Sequence, residues 1–204
     1  MLEIENGIYD KGFSTIACID EVGRGCLFGD VVSCAIIMPK GLIIDGVKDS
    51  KKLTSKKREF LYDIILERCV AYGIGRVNSM EVDRINIKEA TRLSMKLAVE
   101  NLKDKNNNRI IPDHLLIDAE KVYIDNISQT SIIKGDEISH GIACASIIAK
   151  VYRDNLCLEW DKQYPNYSLK KNKGYGTKAH IQALKTLGKT PLHRNTFLKK
   201  ILEG

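Results

Sequence analysis

Four carboxylates stand at or just past the ends of short apolar segments, where a folded chain often places acid chemistry. They are Asp20, Glu21, Asp118 and Asp136. Because α/β folds put their reactive groups at strand ends, these side chains could meet at one edge of a sheet. Clustered carboxylates repel one another until a cation joins them, and oxygen-only ligands favour hard ions such as Mg²⁺ or Mn²⁺. The pattern therefore indicates a divalent-metal site, in which two ions could activate water and stabilise a leaving oxygen.

Spacing alone leaves a plainer alternative open, because acids after strands are common in loops and each could be a solvated side chain. Two other kinds of chemistry fit the sequence less well. No GxxxxGK[ST] segment is present, so nucleotide hydrolysis by a P-loop is excluded. The four histidines are scattered, which argues against a metal-free ribonuclease with a paired general acid and base.

A glycine-rich segment, Gly23-Arg24-Gly25, follows the first acidic pair directly. Glycine permits positive φ and a close approach of the backbone to a ligand. A backbone amide or carbonyl here could reach a sugar edge, including the 2′-hydroxyl by which proteins distinguish RNA from DNA. The alternative is an ordinary hairpin turn with an exposed arginine.

The segments around these residues predict several strands, with helices between and after them. The predicted strands span about 15–19, 31–38, 70–77, 114–117 and 130–134, and the first two would form an antiparallel hairpin. The predicted helices span about 54–68, 87–102, 138–160, 177–187 and 195–202. Strands with intervening helices predict an α/β fold with a mixed sheet.

Local signals set several of the boundaries. Thr54 can cap the first helix, and Ser79 opens a short turn before the second. An apolar stripe from Ile138 to Trp160 predicts one long helix, which Pro165 ends. The apolar face of the helix after Thr54 would carry Phe60, Leu61, Ile64 and Ile65.

The formal net charge of +6 is unevenly distributed. Residues 166–202 contain no acid and carry nine cations, so the rest of the chain sums to 6 − 9 = −3. The nine cations are Lys170, Lys171, Lys173, Lys178, Lys185, Lys189, Arg194, Lys199 and Lys200. This asymmetry predicts a basic surface for a polyanion, with a merely solvated lysine-rich surface as the alternative. The stretch lacks a strongly amphipathic apolar face, which weakens an acidic-lipid interpretation.

Six cysteines occur without any CxxC pair, so reduced thiols in the core are expected rather than a zinc site. No apolar run approaches the ~20 residues that cross a membrane. The first residues show neither the basic nor the apolar region of a secretory signal. No membrane association and a cytoplasmic location are therefore the expectations.

Taken together, the motifs resemble those of the type 2 ribonuclease H family, specifically ribonuclease HII. They are IDEVGRG (19–25), DSKKL (49–53), NIKEAT (86–91), LLIDA (115–119), KGDEISHGIACASIIAKVYRD (134–154), KGYGT (173–177) with His180, and HRNTF (193–197). Each motif is weak alone, but their order and spacing together are highly specific. The resemblance implies one catalytic domain over 1–204, with a ribonuclease H-like mixed β-sheet flanked by helices in 14–165 and a basic helical part in 166–204.

The resemblance also implies an activity. The chain would be an endoribonuclease that depends on Mn²⁺ or Mg²⁺, with two ions in the active complex. It would hydrolyse the phosphodiester 5′ to a ribonucleotide, in RNA/DNA hybrids and at single ribonucleotides in duplex DNA, and leave a 3′-hydroxyl and a 5′-phosphate. Roles in ribonucleotide excision and RNA primer removal follow, and a monomer is implied.

The family's functional residues correspond to positions of this chain. The metal-binding and catalytic carboxylates would be Asp20, Glu21, Asp118 and Asp136. The ribose-sensing loop would be Gly23, Arg24 and Gly25, and Tyr175 would stack on the neighbouring sugar to read the junction with DNA. Phosphate contacts would come from Lys51, Ser146 and Lys150, the last two of which are four residues apart and can share a helix face.

Two positions depart from the family pattern: Cys26 follows the GRG segment, and Ala119 stands where a glycine is usual. Neither is a proposed ligand, and little effect is expected from the small alanine. Ribonuclease HIII resembles HII but carries an extra N-terminal substrate-binding domain and usually lacks the GRG arginine. Because the first acidic pair falls at residue 20, HII is favoured.

Two alternatives stay open. One is an enzyme of the same fold that degrades only continuous RNA–DNA hybrids, and Arg24 with Tyr175 argues against it. The other is a non-catalytic nucleic-acid-binding module. Four carboxylates on a binding face would repel phosphate without metal, which disfavours that module.

Overall fold

The computed structural model describes residues 1–48 and 50–202, apart from the side chains of Lys52, Lys200 and Leu202. Asp49 of the DSKKL motif and the side chain of Lys200 in the basic stretch therefore lie outside the described residues. The strands are β1 (Ile16–Val22), β2 (Val31–Ile37), β3 (Ala71–Val77), β4 (Lys103–Asp104), β5 (His114–Asp118) and β6 (Ser128–Ile132). The helices are α1 (Glu3–Tyr9), α2 (Ser55–Arg68), α3 (Ser79–Glu100), α4 (Gly135–Ile138), α5 (His140–Gln163), α6 (Leu169–Asn172), α7 (Lys178–Leu187) and α8 (Asn195–Leu202), with short 3₁₀ turns at Ser50–Lys52 and Pro165–Tyr167.

The strands form one six-stranded sheet in the order β4-β3-β2-β1-β5-β6. The pairs β1–β2 and β2–β3 are antiparallel, whereas β1–β5 and β5–β6 are parallel. The predicted hairpin and the predicted mixed sheet are both confirmed. The parallel pairing of β1 with β5 brings the carboxyl ends of these two strands together, and each of these ends carries acids.

Both faces of the sheet are covered, which follows from the alternation of side chains along its strands. Cys18 and Leu116 point toward α5 and α2 on one face, in a core with Leu61 and Ile65. On the other face, apolar residues of β1 and β5 pack on α3 in a second cluster, lined by Ala17, Ile19, Leu115, Ile117, Met95, Ala98 and Leu102. The central strands β1 and β5 are therefore buried on both sides.

The third core lies under the basic C-terminal part. Phe28, Trp160, Leu169, Leu184 and Leu198 form this cluster, which joins the segment after β1 to α5, α6, α7 and α8. The C-terminal third is helical, as predicted, and it packs on the glycine-rich segment rather than standing apart from the sheet.

Several boundary predictions are confirmed and some are wrong. Thr54 caps α2 by accepting a hydrogen bond from Lys57 N–H, but Phe60 is 58% exposed and does not share the buried face. Helix α5 begins at His140 rather than Ile138, because the Ser139 side chain caps it after a break. Ser79 begins a helix instead of a turn.

Two further differences concern the lengths of elements. Helix α3 runs through the predicted turn and kinks at Asn86, whose φ is +69°. Strand β6 covers 128–132, two residues earlier than predicted, because its register is set by pairing along β5. The sequence patterns gave no signal for α1 or for the two-residue β4.

The cysteines are free and buried, as predicted for reduced core thiols. They are Cys18, Cys26, Cys34, Cys69, Cys144 and Cys157. Burial raises the pKa of the Cys144 thiol, so this side chain stays a neutral, apolar filler. In the described residues no helix is both long enough and apolar enough to span a bilayer.

Candidate active site at the carboxyl ends of the central strands

Strand geometry brings the first three acids to one place. Asp20 and Glu21 lie near the end of β1, and Asp118 is the last residue of β5. Ile19 pairs with Ile117 in the parallel ladder, so Asp20 and Asp118 follow at neighbouring positions on the same face of the sheet.

Asp136 joins this group from the start of α4. The turn after β6 folds back so that the Gly135 amide donates a hydrogen bond of 2.7 Å to Asp118 Oδ1. Gly135 has no room for a side chain, because an added Cβ would meet Ile142 Cδ1 at 2.5 Å. The close turn therefore places Asp136 beside Asp118, and the structure brings together all four carboxylates named from the sequence.

Asp20 is the most deeply placed of the four, at 5% exposure. Its Oδ1 accepts a 2.7 Å hydrogen bond from the Glu21 amide, and the Ser146 hydroxyl also donates to its carboxylate. The Ser146 hydroxyl lies 2.8 Å from the hydroxyl of Ser50, so α5 and the segment of the DSKKL motif meet at this carboxylate. Ser146 is buried and acts on Asp20 in this arrangement, rather than standing at the surface.

Burial and mutual repulsion raise the pKa of three of these carboxylates. Burial and then repulsion by Glu21 raise the pKa of Asp20 well above its ordinary value. Burial, with a further contribution from Asp118, raises the pKa of Glu21 against the opposing effect of Arg24. Burial raises the pKa of Asp118, and Asp136 adds to this effect. A site that holds these acids ionised must therefore be neutralised from outside the carboxylate set.

Cations of the chain supply part of that neutralisation. Lys51 Nζ lies 3.4 Å from Asp136 Oδ2, with a side chain that is 80% exposed. Arg24 Nη1 lies 3.4 Å from Glu21 Oε1, and Arg24 Nη2 lies 3.3 Å from Glu120 Oε1. Arg24 and Lys51, two of the three basic site residues named from the sequence, thus reach the carboxylate group.

Glu120 is a fifth acid that the sequence analysis missed. It is 8% exposed and lies between Arg24 and Arg92, whose Nε is 3.3 Å from Glu120 Oε2. Its signal was present in the sequence, one residue beyond the LLIDA motif. The acid sets the direction of Arg24 and adds to the negative charge at the end of β5.

The donor set suits a hard divalent cation, although the side chains are not closed around one. Every candidate ligand is a carboxylate oxygen, the preferred donor of Mg²⁺ and Mn²⁺. Glu21 Oε2 is buried without a hydrogen-bond partner, a state that a cation would relieve. Across residues 1–48 and 50–202, no three acids, histidines or cysteines form a ready metal-binding group. Mutual repulsion and the contacts to Arg24 and Lys51 account for this open arrangement.

The GRG segment is held by two buried arginines, Arg153 and Arg194, a role that the sequence did not predict for either. Gly23 has a φ of +92°, and a side chain there would collide with Arg153. Arg153 donates to the carbonyls of Asp30 (2.9 Å) and Phe28 (3.0 Å). Gly23 thus serves both the turn and the close approach of a guanidinium that shapes the loop.

Arg194 corrects an expectation, because it is fully buried and cannot belong to a phosphate-binding surface. It donates to the Arg24 carbonyl (2.8 Å) and twice to the Gly29 carbonyl (3.0 and 2.8 Å). Burial lowers its pKa to about 10, which still leaves it charged at neutral pH. Arg153 lies in the motif at 134–154 and Arg194 in the motif at 193–197. Their place in these motifs is the sequence feature that could have indicated a role at the site.

Tyr175 lies beside the GRG segment. Tyr175 is 41% exposed. A Cβ added to Gly25 would lie 3.9 Å from Tyr175 Cε1, which shows how near the ring is to this glycine. Lys150 lies one turn beyond Ser146 on α5, as predicted, and its Nζ is 2.6 Å from Asp154 Oδ1. The loop, the tyrosine and the carboxylates share one side of the molecule.

The sequence and fold are similar to those of known proteins. The family model described as Ribonuclease HII matches residues 17–200. The chain is 58% identical to Ribonuclease HII of Alkaliphilus oremlandii over 201 residues, which cover 98% of each chain. The fold is similar to ribonuclease H2 from Pyrococcus horikoshii OT3, with a TM-score of 0.76, 25% identity and coverage of 93% and 98%. Bst-RNase HIII in complex with Mn²⁺ has a similar fold, with a TM-score of 0.63, 17% identity and coverage of 93% and 69%.

Proposed function

The chain belongs to the ribonuclease HII family, and on that premise we propose which of its residues carry the reaction. It is a metal-dependent endoribonuclease that cleaves RNA in RNA/DNA hybrids. The observation that supports a residue assignment is the convergence of four carboxylates at the ends of β1 and β5 and the start of α4. We assign the catalytic and metal-binding roles to Asp20, Glu21, Asp118 and Asp136.

The proposed cofactor is Mg²⁺ or Mn²⁺, with two ions in the active complex. A structural neighbour of this chain is a complex with Mn²⁺, and the all-oxygen donor set here suits either ion. What such ions supply is Lewis-acid stabilisation of the phosphate and activation of water. Asp20 and Asp118 would hold them from the strand ends, while Glu21 and Asp136 would complete their surroundings.

The remaining residues would position the nucleic acid. The GRG backbone lies beside the carboxylates and would check for the 2′-hydroxyl of the ribonucleotide. Tyr175, exposed next to Gly25, would stack on the following sugar. Lys51 and Lys150 would reach phosphates, and Ser146, buried beside Asp20, would hold that carboxylate in place.

This arrangement also supports a finer substrate assignment. Because the proposed ribose-sensing loop and the proposed junction-reading tyrosine are neighbours, one ribonucleotide followed by DNA would be enough to engage both. We propose cleavage 5′ to that ribonucleotide, with a 3′-hydroxyl and a 5′-phosphate as products. Ribonucleotide excision and RNA primer removal are the proposed roles.

We further propose that residues 1–204 work as one catalytic unit, as a monomer in the cytoplasm. The third core, which ties the basic C-terminal part to the segment after β1, supports one unit rather than two. The proposed partners are RNA/DNA hybrids and DNA duplexes that contain ribonucleotides.

The test is a cleavage assay on a DNA duplex with one ribonucleotide, in Mg²⁺, Mn²⁺ or EDTA, with the cut mapped to the nucleotide. A metal-dependent nick on the 5′ side of the ribonucleotide is expected. Degradation of continuous hybrids without that nick would mean the hybrid-only specificity. No cleavage of either substrate would leave a binding module and refute the carboxylate assignment.

A further inference from the structure

Two buried histidines have no part in the function proposed above. His180 is 0% exposed and His193 is 1% exposed, and their Nε2 atoms lie 3.1 Å apart. They come from different elements, since His180 is in α7 and His193 precedes α8. A direct contact between two buried ring nitrogens requires that one donates and the other accepts.

The partners of each ring fix the proton positions. The Thr190 amide donates to His193 Nδ1 over 2.9 Å, so Nδ1 of His193 is an acceptor and its proton is on Nε2. His193 Nε2–H then donates to His180 Nε2, which leaves the proton of His180 on Nδ1. That N–H donates to the Tyr175 carbonyl over 2.9 Å. The two rings are neutral and carry opposite tautomers.

Burial agrees with this neutral state. It lowers the pKa of His193 to about 4, with repulsion from His180 adding to the effect. Burial also lowers the pKa of His180, despite its hydrogen bond to the Tyr175 carbonyl. At neutral pH the pair is a fixed chain of hydrogen bonds from Thr190 to Tyr175.

The segment directly after GRG is attached to both ends of this chain. On one side, the Leu27 amide donates to the Gly174 carbonyl, next to Tyr175, over 2.8 Å. On the other side, Phe28 forms an antiparallel bridge with His193, and its ring stands edge-on to the imidazole at 4.7 Å between centroids. The histidine pair therefore completes a closed circuit of hydrogen bonds and packing contacts that includes the tyrosine and the segment directly after GRG.

We propose that His180 and His193 are positioning residues that set the spacing between the GRG segment and Tyr175. This inference rests on the function proposed above, in which these two features read adjacent nucleotides. Their spacing decides whether both can engage one ribonucleotide and the sugar that follows it. The pair thereby sets the preference for a ribonucleotide–DNA junction over a continuous hybrid.

The chain offers a matched pair of variants at His180. In His180→Asn, the amide nitrogen falls near the position of Nδ1 and can still donate to the Tyr175 carbonyl. In His180→Gln, the amide falls near Nε2, so contact with His193 is kept and the bond to Tyr175 is lost. Both remove a buried ring, and so both should lower thermal stability to a similar degree.

The measurement is the ratio of kcat/KM for a duplex with one ribonucleotide to kcat/KM for a continuous hybrid. We expect His180→Asn to keep this ratio within about twofold and His180→Gln to lower it about tenfold, or 1.4 kcal/mol. In a Tyr175→Ala background, His180→Gln should lower the ratio no further, since coupled residues are not additive. Equal losses on both substrates in both variants would mean a merely structural role and would overturn the proposal.

Two controls keep the outcomes distinct. If the wild type does not nick the single-ribonucleotide duplex, the proposed function fails before the histidines are tested. If neither variant folds, ¹⁵N chemical shifts of the wild-type imidazoles still decide the geometry. Protonated Nδ1 on His180 and protonated Nε2 on His193 are expected, and the reverse or a cationic ring would refute the hydrogen-bonded chain.

Discussion

Asp20 is a side chain of the site whose ionised form is opposed both by burial and by neighbouring carboxylates. It is buried, lies near the end of β1 directly beside Glu21, and faces Asp118 across the parallel pair. An acid whose pKa is higher in the folded than in the unfolded state binds protons more readily when folded. It therefore lowers the free energy of unfolding at neutral pH, and this penalty decreases as the pH falls from the folded-state pKa to the lower unfolded-state pKa.

We predict that Asp20→Asn abolishes cleavage but leaves duplex affinity within about twofold and stabilises the metal-free protein. Removing the charge should raise the free energy of unfolding by about 1 kcal/mol, as is common for relief of a strained site. Urea denaturation at pH 7 in EDTA, with cleavage and binding assays, tests this. The exposed Asp45→Asn should change none of the three quantities. Substantial turnover by clean Asp20→Asn would contradict the assignment.

Ala119 shows why a small side chain is not the whole requirement at its position. Its φ is +52°, the left-handed region that costs an L-residue roughly 1–2 kcal/mol. The glycine that the family resemblance leads us to expect here would serve the conformation of this turn rather than relieve a lack of space. The alanine is accommodated because its amide donates to the Ile132 carbonyl over 2.8 Å and holds the turn.

Ala119→Gly should accordingly raise the free energy of unfolding, by about 0.5 kcal/mol after the greater backbone freedom of unfolded glycine is included. The matched control is Ala179→Gly in α7, an exposed helical position where glycine should cost about 1 kcal/mol. Opposite signs in equilibrium urea denaturation are the expected result. A loss of stability in both variants would mean that the turn at residue 119 is relaxed.

At the scale of elements, the contact between β3 and α3 depends on two glycines that weakened the sequence prediction of this strand. Added Cβ atoms at Gly73 and Gly75 would collide with backbone carbonyls of α3, those of Ala98 and Ser94. The helix therefore lies on the strand backbone itself. Glycine at these positions is a packing requirement and not a sign of a broken strand.

Gly75→Ala should lower the free energy of unfolding by about 2–3 kcal/mol, because backbone atoms of a long helix must move to admit a methyl group. Gly7→Ala is the matched control, since Gly7 is helical and an added Cβ meets nothing within 4 Å. That change should be neutral or stabilising. Thermal denaturation of both variants measures the difference, and a mild effect of Gly75→Ala would show that α3 can shift away.

The elements that the sequence predicted are those whose signal is local. Alternation, caps and apolar stripes located five of the strands and five of the helices, including the Thr54 cap of α2. Helix α1 was missed because its stability is tertiary: Glu5 is buried and accepts hydrogen bonds from the Ser139 hydroxyl and the Gly141 amide at the start of α5. Seven residues that include a glycine carry too little helical signal to reveal such a contact.

The site residues, too, divide into those with a local sequence signal and those whose position depends on tertiary contacts. Acids at strand ends were predictable, because the carboxyl ends of parallel neighbours must meet. Arg194 was misplaced on the surface, since an arginine in a lysine-rich stretch has the same composition signal whether buried or exposed. Its burial depends on the Gly29 and Arg24 carbonyls, which are more than 160 residues away in the sequence.

For the whole molecule, the charge asymmetry predicts how the protein holds a duplex. With Arg194 buried, the basic surface consists of lysines, and Lys170 and Lys171 are exposed on α6. Each phosphate contact that is lost should reduce the slope of log K against log salt by about 1. Lys170→Gln with Lys171→Gln should therefore weaken binding on all duplex sequences alike and flatten the slope. Lys103→Gln on the far strand β4 is the control, and a slope unchanged by the double variant would remove these lysines from the interface.

Binding of a divalent cation should act on the stability of the entire fold, because the acids that would hold it come from β1, β5 and α4. An ion that binds only the folded state raises the free energy of unfolding by about 2.7 kcal/mol at one hundred times its Kd. We expect Mn²⁺ to raise the Tm of the wild type without substrate, and to raise that of Asp45→Asn equally. Asp20→Asn should show a much smaller rise, although it starts from a higher Tm in EDTA. NaCl at matched ionic strength separates binding from screening, since buried charges are screened far less than exposed ones. An equal rise with NaCl, or in Asp20→Asn, would mean that the ions act on surface charge and that the four carboxylates do not form the metal site.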